Sequence, residues 1–430
     1  MEEEFELRHF DSPALSFVAS HDEDGVWVVR VTDRGPARPP LGLEPTDEGL
    51  LRWLETRALP FNRTYADKVC LQMGIAPGDV SRVIEVGRGL SLNDCFWVVP
   101  SGFDGRFEDY NLYENGFSDA LALVAYTGKV SVGDIPVRGL TPELTTNGSL
   151  PKAWRVGPDG ERLLYKGSTP GFHPGEWLSE CLVYAVERVA GIRATPYWHE
   201  RWGGADCSVC PCFCDLASSY VPFSVAAGSS RLGAAVACAF QIGAGAFEDL
   251  ADMLVLDCLV ANVDRHMTNF GFSVDARTGE VMGMAPVFDN GRALFPNLGD
   301  EQVRDAAAVA SLSRPAVGAP TFDAQAGRFM GERQLGWLAR VEGADLAGAF
   351  LEAAPGMSEA RARGLAGFLR ERAGRMLQIP PVGRDELADA AARAFPQAAR
   401  VVGPAPTAGR AALLGEGACR GDARDDEWER

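Results

Sequence analysis

The chain has 430 residues, with 41 basic against 59 acidic side chains and a net charge of −18. That length exceeds one ordinary core and predicts two or three domains. The acidic balance argues against a broad electrostatic footprint for nucleic acid or an anionic membrane, so no direct nucleic-acid or membrane partner is expected.

The start, Met-Glu-Glu-Glu-Phe, lacks the basic and apolar regions of a secretory signal. Val26 to Thr32 then reads as a strand, Glu48 to Arg57 as a helix, and Asn111 to Tyr126 as another helix. No chemical motif stands out over residues 1–130, which are expected to form an accessory region. Leu144-Thr-Thr-Asn-Gly-Ser-Leu-Pro-Lys152 follows as a polar turn between expected strands. Gly148 there permits close approach of backbone amides to a phosphate, and Lys152 adds charge.

Leu163-Leu-Tyr-Lys-Gly167 reads as a short strand carrying one lysine. Only four lysines exist in the chain, so one inside an apolar strand is singled out. A glutamate on the following helix, Glu176 to Ala190, is its expected partner: Glu180 first, with Glu176 and Glu187 on the same segment. Cys207, Cys210, Cys212 and Cys214 come next, four thiols within eight residues. Structural zinc sites bring two separated pairs together, and His199 has no second histidine near it, so reduced thiols without metal are expected.

Leu232 to Phe247, the longest uncharged stretch, is too short and too rich in Gly and Ala to span a bilayer, and the chain is expected to be cytoplasmic. Glu248 to Val260 has apolar residues at helical spacing, and Phe270–Val274 and Val281–Ala285 read as two strands joined by a turn. Helix, polar loop and hairpin thereby bring Asp264, Asn269 and Asp289 toward one place, with Gly291 expected to let the backbone turn sharply. Leu335 to Ala354 and Ser358 to Met376 read as amphipathic helices. After about Gly403 the tail is rich in Ala, Gly, Pro, Arg and Asp and is expected to be disordered.

Asp264 stands five residues before Asn269, and Asp289 twenty residues further on. That spacing matches a kinase catalytic loop and its metal loop: a carboxylate beside the attacking hydroxyl, and ligands for the Mg²⁺ that neutralises nucleotide phosphates. Any one of these residues could be a helix cap or turn former; their joint arrangement carries the reading. His266 fits a brace of the loop better than a chemical role.

With its Asp264-Arg-His-Met-Thr-Asn269 run, the chain resembles the HipA-like serine/threonine kinases, whose catalytic loop reads Asp-Arg-His-x-x-Asn with a later Asp. The resemblance implies an α+β, bilobal protein-kinase-like fold with an N-terminal accessory domain at 1–130, a small lobe at 131–225, a helical large lobe at 226–380, and a C-terminal helix and tail at 381–430. It also implies ATP and Mg²⁺ as cofactors. Asp264 would then be the base with His266 beside it, Asn269 and Asp289 the metal ligands, and Lys166, Glu180, Gly148 and Lys152 the nucleotide-binding set. Thr145, Gly148 and Lys152 match the family's phosphate loop, Ser-x-x-Gly-x-x-x-Lys, with Thr for Ser. Thr145, Thr146 and Ser149 are therefore candidate autophosphorylation sites, Thr145 foremost. Phosphate there would repel the nucleotide and switch the enzyme off. The implied substrate is a protein Ser/Thr hydroxyl and the implied partner a small antitoxin-type regulator, in a toxin or growth-arrest setting. A lipid or small-molecule kinase of the same superfold, and a non-catalytic nucleotide-binding regulator, remain as alternatives.

Overall fold

In the computed structural model, residues 2–130, 140–168 and 175–395 are described. The C-terminal tail lies outside them. The chain divides into two compact units, Met1–Cys181 with Thr195–Tyr220, and Leu182–Ala194 with Val221–Arg430.

The first unit opens with strands that the sequence reading largely missed: β1 (Glu3–His9) and β2 (Ser12–His21), followed by β3 (Trp27–Arg34). With β4 (Phe96–Pro100) they form an antiparallel sheet in the order β3-β2-β1-β4. Alternation puts Leu7, Leu15, Phe17, Phe96 and Val98 into one core. The helix Asp47–Glu55 covers that core with Leu50, Trp53 and Leu54, three positions on one face. Thr46 accepts from Gly49 N at its start, 3.1 Å away.

A second antiparallel sheet follows, made of β5 (Lys152–Val156), β6 (Arg162–Lys166), β7 (Trp198–Trp202) and β8 (Ala205–Pro211) in the order β5-β6-β8-β7. Lys152 stands directly opposite Lys166. Ala153, Leu163, Tyr165 and Val209 of this sheet share a core with Val69, Leu121 and Ala125. The turn Thr145–Lys152 is preceded by a 3₁₀ turn, Pro142–Leu144, rather than by a strand. The helix expected over Asn111–Tyr126 begins only at Asp119, capped by Ser118. Asn111 explains the shortfall, because its side-chain oxygen accepts from Tyr113 N and Glu114 N and holds a turn where a helix would otherwise start.

In the second unit the helix Ala244–Val260 is buried without interruption from Leu250 to Val260, with Asp252 and Asp257 the carboxylates enclosed in that stretch, as expected of a helix surrounded by others. It ends at Ala261 in the left-handed conformation, φ 52°. Strand β9 (Ser218–Pro222) runs across the division of the chain, while β10 (Gly271–Asp275) and β11 (Val281–Met284) pair antiparallel within the second unit. Gly271 is required where it stands, since a Cβ would lie 2.2 Å from Val221 O. The segment Leu335–Ala354 is two helices, Glu332–Gly343 and Leu346–Ala353, because Asp345 caps the second by accepting from Gly348 N. Glu359–Met376 is one helix capped by Ser358. Among the described residues, no helix is long and apolar enough to cross a membrane.

Candidate active site

The second unit holds the four residues singled out in the catalytic-loop and metal-loop segments. Asp264, His266 and Asn269 occupy the loop between the helix Ala244–Val260 and β10, and Asp289 follows β11. What fastens the two loops together is Arg265, for which the sequence reading found no role. Its side chain is 2% exposed. Nε donates to the Asp257 carboxylate at 3.0 Å, Nη1 to the carbonyls of Asn269 at 3.0 Å and Phe288 at 2.5 Å, and Nη2 to Asn290 Oδ1 at 2.5 Å. Burial opposes the guanidinium charge, but Asp257 outweighs it and holds Arg265 above its ordinary range. Burial pushes the Asp257 carboxyl up while Arg265 and Asn262 pull it back by hydrogen bonds; with donors on both sides, the ionised pair is the form the geometry supports.

The loop is braced from its other side as well. Asn262 Oδ1 accepts from Asp264 N at 3.1 Å, and Asn269 Nδ2 donates to Asp264 O at 3.1 Å. Because its amide nitrogen is engaged in this way, Asn269 can present its carbonyl oxygen to a cation. His266 Nδ1 shares a hydrogen bond with Thr268 Oγ1 at 2.7 Å, a bracing contact. The left-handed conformation falls on Asp289 itself, φ 62°, and Gly291 stands in the turn that follows.

The Asp264 carboxyl is exposed to solvent by area. Protein around it nonetheless removes enough hydration to raise its pKa above the usual carboxylate value; His266 opposes the shift, Asp289 adds to it, and Arg292 and Arg265 oppose it. Among the described residues there is no group of three or more His, Cys, Asp or Glu side chains arranged for a metal. One amide oxygen and one carboxylate nevertheless suit Mg²⁺, which takes few protein ligands and completes its shell with water and phosphate oxygens.

In the first unit, Lys166 forms a buried ion pair with Glu180; the two side chains are 5% and 1% exposed. A lysine so deeply placed needs a charged partner to remain ionised. Glu187, one of the two other glutamates considered, accepts from Asn290 Nδ2 at 3.1 Å, in the second unit. Gly148 adopts φ 95°, and a Cβ there would lie 2.2 Å from Lys152 Nζ, which donates to Asn147 O at 2.8 Å. Thr145 is buried, with its hydroxyl donated to Leu90 O at 2.7 Å, and Thr146 Oγ1 donates to Pro142 O at 2.6 Å. Ser149 is exposed. Of the three candidate acceptors, Ser149 is thus the exposed hydroxyl and Thr145 the sequestered one.

Cys207 and Cys210 lie buried on β8, where loss of hydration pushes their thiols to about 11 and about 12. Cys212 is lowered, first by a hydrogen bond from Cys214. None of the four forms a disulfide, and His199 pairs with Asp206 at 2.9 Å.

No family model and no curated protein matches the chain. Solved structures do. The Helicobacter pylori proinflammatory kinase CtkA aligns at 17% identity over 56% of this chain and 94% of its own, with a TM-score of 0.42. HipA of Shewanella oneidensis MR-1, solved with HipB and its operator DNA, aligns at 13% identity over 90% of this chain and 99% of its own, with a TM-score of 0.52. The mixed helix-and-sheet chain described above therefore has the fold of the HipA-like kinases.

Proposed function

We propose that this chain is a cytoplasmic serine/threonine protein kinase of the HipA-like type, using ATP and Mg²⁺. The observation that carries the reading is the Arg265 latch, which joins the loop bearing Asp264 and Asn269 to the loop bearing Asp289 through buried hydrogen bonds. Phosphoryl transfer needs such a latch, because it depends on holding a base and metal ligands in fixed mutual positions.

In this reading Asp264 orients the acceptor hydroxyl and takes its proton. Its raised pKa keeps it a better base than an ordinary surface carboxylate. Asn269 and Asp289 would hold Mg²⁺, which supplies charge neutralisation at the nucleotide phosphates. Lys166, oriented by Glu180, would contact the phosphates, and the turn around Gly148 would cover them. Residues 1–130 are assigned to an accessory domain, 131–225 to the small lobe and 226–380 to the large lobe. A small regulator protein is the proposed partner, since the Shewanella HipA was solved with HipB. That complex also holds operator DNA, so the net charge of this chain is not taken to exclude nucleic acid.

The test is incubation of the purified protein with ATP and Mg²⁺, reading by intact mass the phosphate gained by the chain and by added protein substrates. Transfer by the wild type that is lost in Asp264→Ala supports the proposal. A wild type that binds no nucleotide and transfers no phosphate ends it.

A further inference from the structure

The turn around Gly148 is seated on a segment of the N-terminal region that has no chemical motif. Arg63, just before the helix Ala66–Met73, has a side chain that is 0% exposed. Nη1 donates to Glu143 O at 2.8 Å and Thr146 O at 3.4 Å, and Nη2 to the Glu143 carboxylate at 2.5 Å and Lys152 O at 2.7 Å. The second Glu143 oxygen accepts from Trp154 N at 2.8 Å. Next in sequence, Thr64 donates twice to Ser149 O, from its backbone N at 2.9 Å and its hydroxyl at 2.8 Å. Both limbs of the turn and its tip are therefore gripped through their carbonyls.

That choice of atoms has a stereochemical consequence. In a trans peptide the C=O of one residue and the N–H of the next point in opposite directions. Drawing the carbonyls of Thr146 and Ser149 onto Arg63 and Thr64 turns the N–H groups of Asn147 and Leu150 the other way. Neither of those N–H groups donates to another described residue. They flank Gly148, whose positive φ makes the bend between them. Two outward amides either side of a glycine are the elements of an anion cradle.

We propose that Arg63 and Thr64 are positioning residues for nucleotide binding: the N-terminal region fixes the peptide planes whose amides receive the phosphates. This deepens the kinase reading and rests on it. It also gives residues 1–130 a function, because a ligand that moves Arg63 or Thr64 changes nucleotide affinity, and nucleotide changes the affinity of that ligand by the same factor.

The experiment uses the full chain with Arg63→Lys, which keeps the charge but loses the fork, and Thr64→Val, a milder change should the first fail to fold. Mg·ATP affinity, the KM against kcat split, and hydrogen exchange over residues 142–152 are measured together. Arg63→Lys is expected to weaken nucleotide binding about tenfold and Thr64→Val about threefold, as for lost hydrogen bonds that preorganise a site. KM should rise more than kcat falls, and exchange over the turn should quicken. Folded variants with wild-type affinity and wild-type exchange overturn the proposal, as does a lower melting temperature with KM unchanged. A wild type that binds no Mg·ATP overturns the kinase reading instead; exchange over 142–152 then still decides whether Arg63 and Thr64 seat the turn.

Discussion

Arg265→Met separates the two consequences of the latch. The variant leaves the Asp257 carboxylate, which is 0% exposed, without its cation. An uncompensated buried charge of this kind costs about 3–5 kcal/mol, a large share of the roughly 5–15 kcal/mol that holds a domain folded. Adding Asp257→Asn removes the stranded charge, retains an acceptor for Asn262, and is expected to return at least about 1 kcal/mol of that loss. Phosphoryl transfer should not return with it, because the carbonyls of Asn269 and Phe288 still lack their shared donor. Urea unfolding followed by circular dichroism gives the stability, and a radiolabelled ATP assay on the folded protein gives the transfer. If the single variant loses less than about 1 kcal/mol, the buried pair is not the stabilising element argued here. If the double variant recovers transfer together with stability, Arg265 does not position the loops.

Acting as a base, Asp264 must be ionised, so kcat/KM should fall as pH drops through a pKa above the usual carboxylate value, and Asp264→Ala should lose about 10²- to 10⁴-fold in transfer; a pH–rate profile checks the first and single-turnover kinetics the second. Asn269→Ala and Asp289→Ala should weaken nucleotide binding with Mg²⁺ more than without it, Asp289→Ala the more strongly, as read by titration calorimetry. Phosphosite mapping after incubation with ATP should find Ser149 ahead of Thr145, whose hydroxyl is buried on Leu90 O, and the modified chain should bind ATP less tightly because about −1.5 to −2 charge has been added beside the phosphates.

Legibility in the sequence followed the range of the interactions. The helix Ala244–Val260, the hairpin β10–β11 and the lysine strand β6 could be read because local periodicity and turn residues dictate them. Asn111 and Asp345 defeated the same reasoning: one side-chain oxygen at each site redirected the backbone inside an otherwise helical pattern. Arg265 was missed because its partners lie as far off as Phe288 and Asn290, 23 and 25 positions away. A signal did exist in Asp257, a carboxylate within a helix otherwise built for burial, which called for a buried cation just as Lys166 in its apolar strand called for a glutamate. Arg63 offered no such signal, since it sits in a short polar turn and reaches its partners across 80 to 89 residues.

The left-handed backbone at Asp289 bears on how such a protein can be improved. An aspartate there gives up about 1 kcal/mol relative to glycine, which has no Cβ to clash. A search for thermostable variants guided by backbone geometry would therefore favour Gly at 289, which would delete the charged metal ligand proposed for this position. Screening for melting temperature alone would then enrich well-folded chains that lack the proposed ligand, so such a screen should be paired with the transfer assay.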